Sequence, residues 1–137
     1  MKVFFDTSAF VKRYVDEPGS NEVIKICRQA DMLILSIICL PEMISTLRRL
    51  VREDKISAKD YRQTKLQVLK ELEAIEICNI TSRAIKRAIS CLESSPLRAM
   101  DALHLGCALT MNADLFVSSD TRQIIAAKKE GLKVMEV

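Results

Sequence analysis

The sequence has no long apolar run, only one histidine and no closely spaced cysteine pair. Its longest apolar stretch, residues 32–40, is interrupted by Ser36 and is far shorter than the ~20 residues that span a bilayer. No charged-then-apolar leader opens the chain, so the sequence predicts neither secretion nor membrane insertion. The five cysteines form an odd set without a C-x-x-C motif. This pattern predicts reduced core residues in a cytoplasmic protein and argues against a zinc site.

Glycine and proline are also scarce, with three of each, and no repeat, low-complexity tract or linker divides the chain. A length of 137 residues is typical of one domain. The hydrophobic fraction of 49% can supply a core without disulfide or metal staples. We therefore expect residues 1–137 to fold as a single domain.

Charge is nearly balanced, because 21 basic and 18 acidic residues give a net charge of only +3. That value is too small to identify a nucleic-acid-binding protein. The distribution is more informative, since residues 43–70 contain eight basic side chains and three acidic ones. Arg48, Arg49 and Arg52 belong to this excess and could contact a polyanionic substrate. Two solvated helix surfaces would give the same pattern, so both interpretations remain open.

Short apolar runs alternate with longer stretches of helical periodicity. Strands are predicted over residues 2–5, 32–35, 76–80, 115–117 and 132–136, and helices over residues 8–15, 20–30, 41–53, 57–74, 82–92, 97–111 and 121–130. Short apolar strands separated by helices imply right-handed crossovers and a parallel sheet that is covered on both faces. The sequence therefore predicts an α/β fold, a three-layer α/β/α sandwich with a central parallel sheet. In such sheets functional groups gather beyond the carboxyl ends of the strands.

Aspartates follow two of the predicted strands. Asp6 comes directly after residues 2–5, and Asp120 follows residues 115–117 after two serines. A single aspartate at a strand-to-helix junction is most often the N-cap of the next helix. Two of them at potentially neighbouring strand ends favour a shared acidic site.

Two further carboxylates lie near helix starts. Asp101 has apolar neighbours, so a cation, Arg98 or hydrogen-bond donors must offset the cost of burying its charge. Glu42 follows Pro41 in the first turn of a helix, where the helix dipole alone would favour a carboxylate. Taken together, the four carboxylates lack a compensating cluster of Lys or His, and oxygen-only ligands favour Mg²⁺ or Mn²⁺. Metal-assisted hydrolysis of a phosphodiester is the reaction that fits such a pocket best.

The chain resembles a PIN domain over essentially its whole length, and most closely the small VapC-type toxins of bacterial and archaeal toxin–antitoxin pairs. The resemblance rests on four segments: Phe5-Asp6-Thr7-Ser8-Ala9, Pro41-Glu42 with Leu47-Arg48-Arg49, Leu97-Arg98-Ala99-Met100-Asp101-Ala102-Leu103-His104-Leu105, and Val117-Ser118-Ser119-Asp120. It implies a PIN-type α/β/α sandwich and an endoribonuclease that depends on Mg²⁺ or Mn²⁺. It also implies a cognate antitoxin that blocks the site.

The resemblance assigns roles to individual positions. The residues that match the four metal-binding and catalytic acids of the family are Asp6, Glu42, Asp101 and Asp120. Hydroxyls that could support these acids are those of Thr7, Ser8 and Ser118, although the position of Thr7 and Ser8 favours capping of the following helix over a role in the site. Many relatives carry another acid where this chain has Gln123, which predicts a weakly held second ion. His104 fits the family pattern, but its apolar helix favours a packed, hydrogen-bonded core histidine over a catalytic base.

Two other functions stay open on the sequence alone. A catalytically inactive PIN-like module would bind RNA or a protein partner without chemistry; the complete set of four acids argues against it, and Gln123 argues mildly for it. A receiver-like or phosphatase-like domain would accept a phosphoryl group on Asp6. That pattern requires a second acid two positions later or a lysine after a late strand, and both are absent.

Apolar stripes on the predicted helices bear on the partners. The stripe that includes Ile44, Leu47 and Leu50 could serve the core, a homodimer seam or a groove for the antitoxin. We expect RNA as the substrate, an antitoxin protein as the partner and a homodimer as the assembly.

Overall fold

The computed structural model describes residues 1–137. It contains five strands, β1 (Lys2–Phe5), β2 (Met32–Ser36), β3 (Glu76–Cys78), β4 (Leu115–Ser118) and β5 (Val134–Glu136). All neighbouring strands pair in parallel, in the order β3-β2-β1-β4-β5. The order reverses around β1, which is the point where open α/β sheets place their functional groups.

Seven α-helices connect the strands. They are α1 (Thr7–Phe10), α2 (Ser20–Gln29), α3 (Cys39–Arg52), α4 (Ala58–Leu72), α5 (Ser82–Ser94), α6 (Ala99–Thr110) and α7 (Thr121–Lys129), and a 3₁₀ turn over Val11–Arg13 extends α1. A capping box begins α4, in which the Ser57 hydroxyl accepts from the Asp60 N–H at 2.9 Å. Helices cover both faces of the sheet, so the predicted α/β/α sandwich is confirmed.

The predicted helices lie where expected, and several of their ends differ from the predicted ones by a few residues. The helix expected over residues 8–15 is only one α-helical turn followed by the 3₁₀ turn, and it ends at Arg13. The helix expected to begin at Pro41 begins at Cys39. Proline is tolerated there because the first N–H groups of a helix have no intrahelical acceptor.

Successive side chains of the central strands β1 and β4 point to opposite faces of the sheet, so the core consists of two clusters, one on each face. Phe4 and Phe116 point to one face and stack with ring centroids 5.7 Å apart. Phe5 and Val117 point to the other face, where α1, α2 and α3 cover them. Such apolar central strands are buried on both sides and hold the strand ends rigidly. No helix combines the length and the apolar character that crossing a bilayer requires.

Gly106 allows α6 to pack closely on α5. A Cβ at this position would lie 2.4 Å from the carbonyl oxygen of Ala84, so any larger residue would push the two helices apart. Because α6 carries Asp101 and His104, this close packing also determines where those two side chains lie.

Candidate active site

A cavity of about 840 Å³ opens at the carboxyl-end edge of the sheet, and all four predicted carboxylates line it. Asp6 follows β1 and is the N-cap of α1, whereas Asp120 follows β4 and is the N-cap of α7. Glu42 and Asp101 lie in the first turns of α3 and α6. Four residues separated by up to 114 positions in the chain therefore share one cavity.

Asp6 is the most enclosed of the four acids, with 4% of its surface exposed. Its carboxylate accepts hydrogen bonds from the Ser8 hydroxyl at 2.8 Å and from the Ala9 N–H at 3.2 Å. Burial raises the pKa of Asp6 to about 6, although nearby His104 and these hydrogen bonds act in the opposite direction. The buried charge of Asp6 is therefore only partly compensated by the protein.

Asp101 also has a raised pKa. Partial burial is the largest cause, and the negative charges of Asp120 and Glu42 add to it. Arg98, the partner considered from the sequence, does not pair with Asp101 and takes part in none of the five ion pairs of the structure. Asp101 therefore faces like charges across the cavity without an ion-pair partner of its own.

Glu42 differs from the two aspartates because the protein supplies it with donors. The Thr7 hydroxyl donates to Glu42 Oε1 at 2.7 Å, and His104 Nε2 contacts the same oxygen. Burial opposes ionisation, but the hydrogen bonds from His104 and Thr7 outweigh it, so the pKa of Glu42 lies below its usual value. A carboxylate oxygen can only accept, so His104 Nε2 is the donor in this contact.

His104 is a buried histidine, as the sequence suggested, but it also belongs to the site. Only 1% of its surface is exposed, its ring meets Phe4 edge-on, and it is one of the residues that line the cavity. Its Nδ1 has no hydrogen-bond partner. The sequence therefore predicted the burial of His104 correctly but gave no indication of its contact with Glu42.

Each of the three predicted supporting hydroxyls hydrogen-bonds one of the acids, and Thr7 and Ser8 also line the cavity themselves. Thr7 contacts Glu42, and Ser8 contacts Asp6. Ser118 is fully buried and accepts from the Asp120 N–H at 2.9 Å. Gln123 is also fully buried and does not line the cavity. The geometry therefore gives no support to treating Gln123 as a missing metal ligand.

Only one of the three predicted substrate-binding arginines lines the cavity. Arg49 is two turns after Glu42 on the same face of α3 and reaches the rim. Arg48 instead lies over the ring of Tyr61, with its guanidinium carbon 4.9 Å from the ring centroid, and Arg52 is not part of the lining. Two cations that the sequence analysis did not assign to the substrate, Lys12 and Arg98, also line the cavity.

The donor set fits a hard divalent cation, although the side chains are not gathered into a closed cage. No three His, Cys, Asp or Glu side chains are close enough together to hold one ion. Mg²⁺ does not need such a cage, because it keeps several waters and is commonly bound by one or two carboxylates together with substrate phosphates. Asp6 and Asp101, whose charges the protein compensates only in part, provide that chemistry together with Asp120.

A family model described as the PIN domain matches residues 3–129. No curated protein sequence matches the chain significantly. Among solved structures, FitAcB from Neisseria gonorrhoeae is 14% identical with a TM-score of 0.76, and the match covers 98% of this chain and 96% of that one. A toxin–antitoxin complex from Klebsiella pneumoniae is 15% identical with a TM-score of 0.72, covering 98% and 99%. A sarcin–ricin-loop-cleaving VapC toxin from Mycobacterium tuberculosis is 13% identical with a TM-score of 0.70, covering 98% of both chains. At these identities the structural similarity establishes the fold alone.

Proposed function

The chain belongs to the PIN domain family, and from that premise we propose that it is a metal-dependent endoribonuclease and the toxin of a toxin–antitoxin pair. The observation that carries the proposal is the convergence of four carboxylates on one cavity, where the pKa of Asp6 is raised to about 6 and that of Asp101 is raised as well. Raised carboxyl pKa values indicate a site that holds more negative charge than its own donors can stabilise.

The proposed ligands of the cation are Asp6, Asp101 and Asp120, with Glu42 beside them. Mg²⁺ or Mn²⁺ would supply a water of lowered pKa and would offset the charge on the leaving oxygen. Glu42 is kept ionised, and Thr7 and His104 occupy its Oε1. Its Oε2 makes no hydrogen bond within the protein, so this atom is the one that can accept a proton from an attacking water.

The cations at the rim favour a nucleic-acid substrate. Lys12, Arg49 and Arg98 line the same cavity as the acids. Basic side chains around an acidic centre can hold the phosphates that flank the cleaved bond, while the carboxylates and their cation act on the bond itself. One structurally similar protein cleaves the sarcin–ricin loop, which supports RNA as the substrate class.

The proposal extends to partners and location. Structurally similar proteins include toxin–antitoxin complexes, and some of these structures contain DNA, including a promoter fragment in one and an IR36 fragment in another. An antitoxin that covers the acidic cavity would keep the nuclease inactive, and a homodimer would present two such sites. All five cysteines are free, and four of them are buried, which suits a reducing cytoplasm.

Cleavage of RNA in the presence of Mg²⁺ or Mn²⁺ tests this function. We expect the purified protein to cut single-stranded RNA with either ion and to stop when EDTA is added. Replacing Asp101→Asn should lower the rate more than about 100-fold, because even residues behind metal ligands contribute about 10–100-fold. Asp114→Asn is the matched control, since Asp114 is exposed at the opposite edge of the sheet and accepts from the Lys2 N–H.

The outcomes separate the alternatives. Equal cleavage by Asp101→Asn and the parent, with contaminating nuclease excluded, would contradict the proposal. Calorimetric titration with Mn²⁺ distinguishes the enzyme from an inactive PIN-like module, because a module that only binds RNA or protein need not hold the ion. Sequencing the ends of cleaved total RNA would then identify the target.

A further inference from the structure

Resting on the nuclease proposed above, we propose that Gln123 is a positioning residue that holds the Asp101 and Asp120 carboxylates at a fixed separation for the cation. The side chain is fully buried in the first turn of α7, directly behind the cavity. It is the only fully buried amide side chain in the chain. An amide in such a place needs a partner for each of its polar ends.

Gln123 bridges two elements that carry acids. Its Nε2 donates to the backbone carbonyl of Asp101 in α6 at 3.1 Å, and its Oε1 accepts from the Ser118 hydroxyl at the end of β4 at 2.9 Å. The orientation of the amide follows from the chemistry, because a backbone carbonyl can only accept and must face the NH₂ group. The first turns of α6 and α7 are thereby joined through one side chain.

The bridge continues from the end of β4 to Asp120 and Asp6, the two acids that follow strands. The Ser118 hydroxyl accepts from the Asp120 N–H at 2.9 Å. The next residue, Ser119, donates its N–H to the Ser8 hydroxyl at 3.1 Å, and that hydroxyl donates to the Asp6 carboxylate at 2.8 Å. Hydrogen bonds at the end of β4 therefore connect the backbones of Asp101 and Asp120, through Gln123 and Ser118, and reach the Asp6 carboxylate through Ser119 and Ser8.

Repulsion between the Asp101 and Asp120 carboxylates explains why such a bridge would be needed. Asp101 and Asp120 line the same cavity, so their like charges repel each other across it. Without a fixed spacer, α6 and α7 could relieve this repulsion by moving apart, and a cation would have to draw them back at a cost in affinity. A neutral amide fulfils the spacer role, whereas an acid at position 123 would add to the repulsion.

Gln123→Met tests the proposal, because methionine matches the length and volume of glutamine and removes both hydrogen bonds. We expect Mn²⁺ affinity, measured by calorimetry, to fall about tenfold, which is the lower end of the effect of residues behind metal ligands. The Mn²⁺ electron paramagnetic resonance spectrum of the bound ion should change as well. The kcat for RNA should fall with it, while KM stays close to that of the parent.

Thr81→Val is the matched control. It removes one cap hydrogen bond, from the Ala84 N–H to the Thr81 hydroxyl, at the start of α5 and away from the cavity. We expect it to lower the melting temperature without changing Mn²⁺ affinity. A loss of Mn²⁺ affinity in Thr81→Val equal to that in Gln123→Met would show that general destabilisation is the cause, and would overturn the proposal.

Gln123→Glu separates the two interpretations of this position. If position 123 faced the ion, as the sequence resemblance implied, the new carboxylate would strengthen Mn²⁺ binding, and that result would overturn the proposal. We expect affinity no higher than that of the parent, since glutamate cannot donate to the Asp101 carbonyl.

Two further outcomes are distinguishable. Parent-like Mn²⁺ affinity and kcat in folded Gln123→Met would refute the role of Gln123 while leaving the nuclease intact. A parent that neither binds Mn²⁺ nor cuts RNA would refute the nuclease and this inference together. Should Gln123→Met fail to fold, Ser118→Ala interrupts the same chain of hydrogen bonds with a smaller change, and parent-like values there would overturn the proposal.

Discussion

Aspartates lie at both ends of the strands, at the amino-end edge of the sheet and at its carboxyl-end edge, but their pKa values are shifted in opposite directions. At the amino-end edge, Asp31 accepts from the N-terminal ammonium of Met1 and Asp114 accepts from the Lys2 N–H. The hydrogen bond from the N-terminus lowers the pKa of Asp31. At the carboxyl-end edge, burial raises the pKa of Asp6 to about 6. Local donors satisfy the acids of the first edge, whereas the acids of the second face one another.

This difference shows that acidity as such does not mark a functional site. Aspartates at strand junctions are common because they suit turns and helix caps. Asp6 and Asp120 are caps as well, since both accept backbone N–H groups of the following helix. What distinguishes the carboxyl-end edge is that capping leaves its charges close together and only partly compensated.

Substituting one acid at each edge is the strongest test of the comparison. Asp6→Asn should reduce RNA cleavage more than about 100-fold, because it removes a proposed ligand whose supporting residues alone contribute about 10–100-fold. Asp31→Asn should leave cleavage unchanged, since Asp31 is exposed at the opposite edge. Initial rates under saturating Mg²⁺, with circular dichroism to confirm folding, provide the measurement. An equal loss of RNA cleavage in the two variants would show that the two edges do not differ in function.

The second test compares the free energy of unfolding of the parent and of Asp6→Asn in EDTA as a function of pH. The raised pKa of Asp6 determines which of the two is the more stable at neutral pH. The Asp6 carboxyl group binds a proton more tightly in the folded protein than in the unfolded chain. Its contribution to the free energy of unfolding is therefore fully present below about pH 3.8 and is lost as the pH rises through about 6. The shift corresponds to about 3 kcal/mol. Asp6→Asn should therefore become more stable than the parent by up to about 3 kcal/mol at pH 7, and by little at pH 3.5.

Denaturant unfolding of both proteins across this pH range measures the effect. Adding Mn²⁺ at pH 7 should narrow the gap, because the ion stabilises the parent through the ionised carboxylate. If the parent gained stability relative to Asp6→Asn between pH 4 and pH 7, the conclusion that the charge of Asp6 is only partly compensated would be wrong.

Much of the site could be predicted because each acid has a local signal. Asp6 and Asp120 follow apolar strands, Glu42 follows Pro41 at a helix start, and Asp101 interrupts an apolar helix. Parallel strand ends meet at one edge, so local signals were sufficient to bring the four together. The fold class was predictable for the same reason, since it depends on the alternation of short apolar strands with helices.

The contacts between distant side chains could not be predicted in this way. The contact of His104 with Glu42 joins residues 62 positions apart and depends on how α6 and α3 pack against the sheet. Gln123 was interpreted by its distance from Asp120 alone, but at the start of α7 its side chain turns inward to Ser118 and Asp101. Periodicity shows that a residue is buried, and it does not show which polar atom it meets.

Arg49 was a residue that helical periodicity could have singled out, and it provides the test with the smallest expected effect. Residues 42, 46 and 49 lie on one face of α3 and all line the cavity, whereas Arg48 and Arg52 project elsewhere. Arg49→Ala should raise KM for RNA about fivefold, which corresponds to ~1 kcal/mol of binding, and should weaken the salt dependence of KM. Arg28→Ala is the matched control, because Arg28 is an exposed arginine at the end of α2. Arg48→Ala and Arg52→Ala should each have a smaller effect than Arg49→Ala. If all three arginines of α3 contributed equally, the RNA would contact the basic surface of the helix as a whole, and the cavity would not be what selects Arg49.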